Sequence, residues 1–410
     1  MELEEGMYRS GFNRIVSFVT CMRGPLENPG KGLWYGKLYI AYITYIEFAV
    51  IVNWVTIGTV FLKPGMTVEV RCFTGFPVVA SAFCCIRRVD MFLNRQRYKK
   101  LMEDYLSLYD NSPELNKDVL HYAKIIGNIP RILFFITALP MIIMGVIPIL
   151  VAIVGGVRVI PMLAVFPFDP TEYFFVFCAT VLLQITGGYT CTLRALCFEN
   201  MFNMFACRQL ALIRQLSREL RRILKIPHVD DSGELKYQND EGILYSPEEA
   251  KNVVIEELKQ WVKNHQKSMR MAKELQDMYS ISLCIQFAFT GLLLCTTAFV
   301  MANKVGGMMN LFFCGAYLIG LFIELLITCR IGDLILYESN MLERTVEGTH
   351  VYVLPSDVYK NWLRLILTRA KVPTRLSALG VFPLDMETYK SFIVLTYSFF
   401  TLLKELKHET

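Results

Sequence analysis

Long apolar segments are the feature that most limits the folds open to this chain. An α-helix needs about 20 mostly apolar residues to cross the hydrocarbon core of a bilayer. Apolar residues make up 54% of the sequence and charged residues only 19%, which is too apolar for a soluble surface. The candidate spans are Leu38–Leu62, Thr67–Ile86, Ile132–Gly155, Tyr173–Leu193, Tyr279–Ala302, Gly306–Thr328 and Met386–Leu406. The sequence therefore predicts an all-α membrane protein with seven transmembrane helices.

The basic residues alternate between the segments that connect these spans. The first 37 residues carry five Lys and Arg. After the second, fourth and sixth spans, the stretches Arg87–Lys124, Arg208–Lys273 and Arg330–Arg375 carry eight, thirteen and seven. The other three connections carry one each, at Lys63, Arg158 and Lys304. Because basic loops stay on the cytoplasmic side, the N-terminus is predicted to be cytoplasmic and the C-terminus extracellular. That topology is opposite to the topology of a G-protein-coupled receptor. The alternation of basic and nearly neutral connections also supports the count of seven spans, because omitting the second or the last span would break it.

Helical patterns continue beyond the membrane after the fourth span. Apolar residues recur at helical spacing from Ile213 to Ile223, and Ser246 with Glu249 forms a capping box that starts the returning helix. A third amphipathic helix follows Ser356, with Val358, Trp362, Leu365 and Ile366 expected on its inner side. Two interpretations stay open at this point. The stripes either cover one another within one chain or form an oligomerisation core beneath the membrane.

These patterns divide the chain into six parts. We expect a cytoplasmic N-terminal segment (1–37), transmembrane helices 1–4 (38–199), a cytoplasmic helical hairpin with a flexible loop (200–278), transmembrane helices 5 and 6 (279–330), a cytoplasmic helical segment (331–384), and a seventh helix with a short extracellular tail (385–410).

The C-terminal stretch LTRAKVPTRLSALGVFPLDMETYKSFIVLTYSFFTLL, Leu367–Leu403, resembles the C-terminal signature of insect odorant receptors. The shared elements are a basic residue and a proline, a small-residue step, an FPL turn and a last helix that ends in a TYSxFTLL pattern. These are Arg369, Pro373, Ala378, Gly380, Phe382–Leu384 and Thr396–Leu403. The Thr-Tyr pair is also similar to insect gustatory receptors, which leaves a gustatory-type channel as the alternative. The long loop insertion of the obligate odorant co-receptor is absent.

The resemblance implies an odorant-binding subunit of a ligand-gated, non-selective cation channel in the plasma membrane of a sensory neuron. Family members assemble as tetramers with the co-receptor, bind small volatile apolar ligands among their helices, and line the pore with their last helices. The resemblance thus implies that the seventh helix (385–410) lines the pore and that the cytoplasmic helical extensions form an anchor. A transporter or a metabotropic receptor fits less well, because the chain shows neither an internal repeat nor the motifs of that receptor class. We expect no enzyme activity, no cofactor, no metal and no nucleic acid partner.

The ligand site is expected in the outer half of the bundle, lined by apolar side chains from the second to the sixth spans. The candidates are Phe73, Phe76, Thr137, Met141, Met144, Phe174, Phe177, Val181, Ile185, Phe312 and Tyr317. Ordinary packing within the bundle is the other interpretation of each of these residues. Glu47 lies inside the first span, where an acid must be paired or face a cavity.

The last helix carries a polar stripe that is typical of a surface facing water in a pore. Steps of three and four residues select Tyr397, Thr401 and Lys404, with Phe400 and Leu403 beside them as an apolar gate. The alternative is that Tyr397 and Thr401 form hydrogen bonds with neighbouring helices.

The distribution of basic residues predicts that an epitope tag at Met1 stays hidden in intact cells, whereas a tag at Thr410 is stained. The measurement is antibody labelling before and after permeabilisation, with a cytoplasmic marker as the control for intact membranes. Labelling of the N-terminal tag without permeabilisation would show that the topology is wrong.

Overall fold

The computed structural model describes residues 34–107, 142–225, 227–229, 235–237, 246–302, 307–347 and 357–409. Helices dominate this part of the chain. They are α1 (Trp34–Leu62), α2 (Val68–Leu93), α3 (Arg95–Ser107), α4 (Ile142–Gly155), α5 (Phe174–Lys225), α6 (Pro247–Ala302), α7 (Gly307–Glu347), α8 (Asp357–Ala370) and α9 (Met386–Glu409). Two antiparallel strand pairs are also present, β1 (Pro227–Val229) with β2 (Leu235–Tyr237) and β3 (Ser377–Ala378) with β4 (Phe382–Pro383). The predicted fold class, a mostly helical membrane protein, is confirmed.

Among the described residues, four helical stretches are long and apolar enough to cross a membrane by length and composition. They are Ile40–Leu62, Val70–Arg87, Phe174–Thr192 and a stretch within Asn252–Ala302. Ile142–Gly155 is a shorter apolar helix, and the first ten residues of that predicted span lie outside the described residues. The sixth and seventh predicted spans lie in α7 and α9. The total of seven spans and their direction stay predictions.

Three helices are much longer than a membrane is thick. At 1.5 Å per residue, the 52 residues of α5, 56 of α6 and 41 of α7 extend about 78, 84 and 62 Å, against about 30 Å of hydrocarbon. As the sequence predicts, α5 therefore continues past its apolar stretch and α6 begins well before its own. The three helices build both the membrane bundle and the extension next to it.

The extension has a core of its own, made from the apolar stripes of α5, α6, α7 and α8. Leu216, Leu220, Leu258, Trp261 and Leu363 are among its buried side chains. The indole Nε1–H of Trp261 donates a hydrogen bond of 2.8 Å to the carbonyl oxygen of Leu216, which satisfies its polar atom inside this core. Within the single chain the predicted stripes thus cover one another.

Helix α8 is rotated relative to the expectation from its sequence. Leu363, Ile366 and Ala370 are buried, whereas Leu365, expected on the inner side, is 58% exposed. The buried positions follow one another at steps of three and four, and that phase turns Leu365 outward. Val358 and Ser356 carry no described side chain.

His265, at the edge of this core, shows that the core excludes water. The imidazole of His265 stacks on Trp261 with ring centroids 4.9 Å apart. Burial, with a smaller contribution from the charge of Arg369, lowers the pKa of His265 to about 4. The side chain is therefore neutral at physiological pH and packs as an aromatic ring.

The FPL turn forms a small hairpin that joins α9 to α6 and α7. The side-chain amide of Gln276 on α6 bonds to both the N–H and the carbonyl oxygen of Ser377. Gly380 has a positive φ of 71°, which glycine adopts at no steric cost. Below the turn, α7 approaches so closely that a Cβ added to Gly332 would lie 2.2 Å from the carbonyl oxygen of Leu384. This contact explains why a glycine precedes Asp333 in α7.

An ion pair joins α1 to α5 inside the bundle. The guanidinium of Arg194 donates hydrogen bonds to both carboxylate oxygens of Glu47. This contact supplies the partner that a charge within the first span requires. Gly187, further along the same interface, has no room for a side chain because a Cβ there would meet Asn53 of α1.

The contact at Gly332 predicts that Gly332→Ala destabilises the receptor by about 1–3 kcal/mol, since a methyl group there overlaps backbone atoms. Gly320→Ala is the matched control on the same helix, where a Cβ meets nothing within 4 Å. The measurement is the thermal midpoint of each full-length variant by fluorescence-detected size-exclusion chromatography. Equal midpoints for the two variants would contradict the close contact.

The ion pair predicts that Glu47→Gln lowers the thermal midpoint, because it leaves the largely buried guanidinium of Arg194 without its counter-charge. Glu47 is partly exposed, so we expect a cost below the roughly 3–5 kcal/mol of a fully buried pair. The double variant Glu47→Leu/Arg194→Met should recover part of the loss. A double variant as unstable as the sum of the two single variants would show that the charges act independently.

Candidate functional site

A cavity lies inside the bundle among α1, α2, α4, α5, α6 and α7. Its volume is about 1090 Å³, part of which is open to solvent. Residues from all these helices and from the segment between α4 and α5 line it. They are Asn53, Ile57, Thr74, Pro77, Ala80, Ser81, Phe83, Cys84, Met144, Met162, Leu163, Gly188, Cys191, Thr192, Glu199, Phe289, Thr290, Leu293, Cys314, Tyr317, Leu321 and Glu324. Apolar walls with a few polar groups are typical of a site for a small organic ligand.

The predicted ligand residues fall into three groups. Met144 and Tyr317 line the cavity. Phe174, Phe177, Val181 and Ile185 instead pack with Ile149 and Ala152 in a separate apolar contact between α5 and α4. Phe312 is 56% exposed on the outside of α7. Thr137 and Met141 lie outside the described residues, as do the side chains of Phe73 and Phe76.

The segment between α4 and α5 forms part of the cavity wall, which sequence reasoning missed. The side chain of Gln184 holds it by bonding to the N–H and the carbonyl oxygen of Met162, at 3.3 and 3.1 Å. The N–H of Val165 donates to the carbonyl oxygen of Thr56 at 3.0 Å. These bonds place Met162 and Leu163 against the cavity. A glutamine within an otherwise apolar span is the signal that points to such a contact.

Two carboxylates lie at the end of the cavity that faces the helical extensions. Glu199 accepts a hydrogen bond of 2.8 Å from Nη1 of Arg87, and both side chains are nearly inaccessible to solvent. The guanidinium of Arg87 also packs on the rings of Phe83 and Phe198, at 3.9 and 4.6 Å from their centroids. Sequence reasoning missed this pair because it places Arg87 in the basic loop after the second span.

The second carboxylate belongs to Glu324 on α7. Its Oε1 accepts a hydrogen bond of 3.1 Å from the side-chain amide of Gln286 on α6. Its position in the sequence predicts an ordinary acid near the inner end of the sixth span. The structure instead places it in the lining of the cavity.

Helix α9, the predicted pore helix, packs along one face against the other helices that the structure describes. Phe392 and Thr396 are buried against α6, where the ring of Phe392 lies 5.1 Å from the ring of Phe287. On the opposite side, Tyr397 is 67% exposed.

Phe400 and Thr401 are half-buried, and the hydroxyl of Thr401 donates to the carbonyl oxygen of Ser398 at 2.7 Å. Leu403 and Lys404 belong to α9, but their side chains are outside the description.

Several curated odorant receptors are similar to this chain. Odorant receptor 33b of Drosophila melanogaster is 23% identical over 62% of this chain and 61% of its own length. Odorant receptor 19a of Drosophila melanogaster is 29% identical over 36% of this chain and 38% of its own length. Odorant receptor 10 of Aedes albopictus is 25% identical over 38% of this chain and 41% of its own length. The matched region thus spans less than two thirds of each of these relatives.

The fold is similar to a solved insect receptor. The olfactory receptor OR5 from Machilis hrabei, solved with eugenol, superposes with a TM-score of 0.74 over 97% of this chain and 99% of its own, at 14% sequence identity. Its structure without that ligand gives a TM-score of 0.73. The model of the 7tm odorant receptor family matches residues 68–397, which include helices α2 to α8 and the first half of α9. This chain belongs to the 7tm odorant receptor family.

Proposed function

We propose that this chain is the odorant-binding subunit of a ligand-gated, non-selective cation channel. The observation that carries the proposal is the cavity among α1, α2 and α4–α7, in a fold similar to that of a receptor solved in complex with eugenol. A second observation is the last helix, most of whose surface is not covered by the described part of its own chain.

The ligand of the cavity is a small, volatile and largely apolar molecule. Ile57, Met144, Met162 and Leu293 supply apolar walls from four different parts of the chain. Methionine side chains suit ligands of irregular shape because the thioether is flexible and polarizable. Asn53, Thr74 and Thr290 provide polar groups between these walls.

The pore is lined by α9 from each of several subunits, with Tyr397, Thr401 and Lys404 facing water and with Phe400 and Leu403 forming the gate. The exposure of Tyr397 supports this arrangement, since an aromatic hydroxyl on a transmembrane helix needs water or a polar partner. Permeating cations would pass these residues, and membrane lipid would cover the outer faces of the bundle.

The channel is a heterotetramer with odorant co-receptor subunits in the plasma membrane of a sensory neuron. The extension core serves as the anchor at which subunits meet on the cytoplasmic side. The exposed Leu365 of α8 supports this role, because an apolar side chain turned away from its own core is available to a neighbouring subunit.

The proposal is tested by whole-cell current in cells that express this chain with the co-receptor, the co-receptor alone, or neither. We expect a panel of small volatile ligands to evoke inward cation current only when both chains are present. The co-receptor alone is the control for currents that do not depend on this chain. A ligand-evoked signal that requires G-protein activation and no channel current would contradict the proposed function.

The cavity predicts different outcomes for two buried apolar residues. Met144→Ala removes a lining side chain, so the half-maximal doses of different ligands should shift unequally, by roughly 1–3 kcal/mol or 5- to 150-fold for those that touch it. Phe177→Ala alters only the contact between α5 and α4, so it should lower expression and leave the rank order of ligands unchanged. If Phe177→Ala changed the rank order of ligands and Met144→Ala did not, the ligand site would lie at the contact between α5 and α4.

The pore arrangement predicts that Thr401→Cys reacts with a small, water-soluble thiol reagent, faster when ligand is present. Lys404→Glu should raise cation conductance, and raised salt should reduce the difference by screening. Phe392→Cys is the control on the same helix, because that side chain is buried against α6. If Thr401→Cys is inert in both states while Lys404→Glu leaves permeation unchanged, these residues face protein.

A further inference from the structure

The inner end of the cavity, as opposed to its apolar walls, has a definite chemistry. Glu199 and Glu324 are the innermost lining residues of α5 and α7, since both helices run from the cavity toward the extension. Leu321 precedes Glu324 by one helical turn, about 5 Å. An elongated ligand whose body lies among the apolar walls therefore presents one end to these carboxylates.

The charges at this end do not balance. Among the described residues that line the cavity, the two with an ionisable charge at neutral pH are both acids. Arg87 neutralises Glu199 and is held in place between two aromatic rings. Glu324 receives a neutral amide from Gln286, and no cation of the described chain pairs with it. Within the described part of the chain, this end of the cavity thus has one carboxylate without a cationic partner.

A hydrogen-bond acceptor at the same place is also unused. Oε2 of Glu199 is buried and accepts no hydrogen bond, although the side chain is almost completely inaccessible. Leaving a buried charged acceptor unsatisfied is costly, and such atoms call for an explanation. A ligand that donates hydrogen bonds would satisfy this oxygen and supply the missing positive charge.

We propose that the ligand recognised by this cavity is a small apolar amine, bound with its protonated nitrogen at Glu199 and Glu324 and with its hydrocarbon body toward Met144 and Met162. An alkylammonium group offers three N–H donors and stays protonated at neutral pH, as the lysine side chain does. Glu324 supplies the counter-charge and Oε2 of Glu199 accepts a further hydrogen bond. The inference deepens the proposed function and rests on the cavity being the ligand site.

An acidic ligand is the alternative, because Nε and Nη2 of Arg87 also lack hydrogen-bond partners and could donate to a carboxylate. Arg87, however, is not among the lining residues, and Phe83 and Phe198 occupy the faces of its guanidinium. A carboxylate in the cavity would meet Glu324 first and be repelled. The observations therefore favour the cation.

The test measures binding directly, with the purified full-length chain and three probes of one shape: 2-phenylethylamine, 2-phenylethanol and phenylacetic acid. A ligand that binds the folded state raises the thermal midpoint in a concentration-dependent manner, from which relative affinities follow. We expect the amine to bind at least about tenfold more tightly than the alcohol, since a charge-assisted hydrogen bond is stronger than a neutral one. We expect the acid not to bind.

The variant Glu324→Gln keeps the shape and the contact with Gln286 but removes the charge, so it should abolish the preference for the amine over the alcohol. Glu347→Gln on the exposed end of the same helix is the matched control and should preserve it. Equal binding of amine and alcohol, tighter binding of the acid, no binding of any probe, or an unchanged preference in Glu324→Gln would each overturn the inference.

The three probes are compared on the unaltered chain. That comparison can refute the inference even if Glu324→Gln folds poorly. Binding and current also separate the two claims. Amine binding without any ligand-evoked current would support this inference and contradict the proposed channel, whereas current evoked by alcohols and not by amines would do the reverse.

Discussion

The continuity of α5, α6 and α7 is the constraint on which the rest of the structure depends. Each of these helices lines the cavity with one part of its length and packs into the extension core with another. A continuous helix carries its hydrogen bonds internally, so it crosses the apolar layer and emerges into water without unsatisfied backbone groups. The cavity and the extension are therefore built from the same three helices. A displacement of one of these helices at the cavity must be accommodated by packing in the extension.

Helix α6 also connects the cavity to α9. Phe289, Thr290 and Leu293 face the cavity, whereas Phe287 and Gly291 of the same two turns face Phe392 of α9. A ligand that moves the first set by a fraction of an ångström moves the second set with it, because both belong to one rigid backbone segment. Helix α6 is thus a physical contact between the cavity and α9, the proposed ligand site and the proposed pore helix. It becomes an allosteric mechanism only with two states that the ligand distinguishes.

Much of this fold follows from the sequence because it depends on local periodicity. The apolar runs and the stripes of Leu216, Leu220 and Leu258 are spaced by helix geometry, which three or four neighbouring residues reveal. The pairing of Glu47 with Arg194 does not follow, since 147 residues separate them and the helix partners must be known first. The cavity was located only in part for the same reason. In the sequence, Phe177 and Met144 are both apolar residues of predicted spans. Only the packing of α4 against α5 shows that Met144 lines the cavity and that Phe177 is buried between the two helices.

The described part of the chain covers only part of the surface of α9. One face of this helix is buried through Phe392 and Thr396, while Ile393, Val394, Leu395, Tyr397 and Phe399 are exposed around it. Lipid covers apolar side chains at no cost, which accounts for Ile393, Val394 and Leu395. It does not account for the exposed hydroxyl of Tyr397, which needs water or a polar partner at membrane depth. The hydroxyl of Ser398 differs, because it donates to the carbonyl oxygen of Val394 at 3.0 Å. The exposure of Tyr397 therefore supports the pore that we propose, since a water-filled space shared with neighbouring subunits would solvate its hydroxyl.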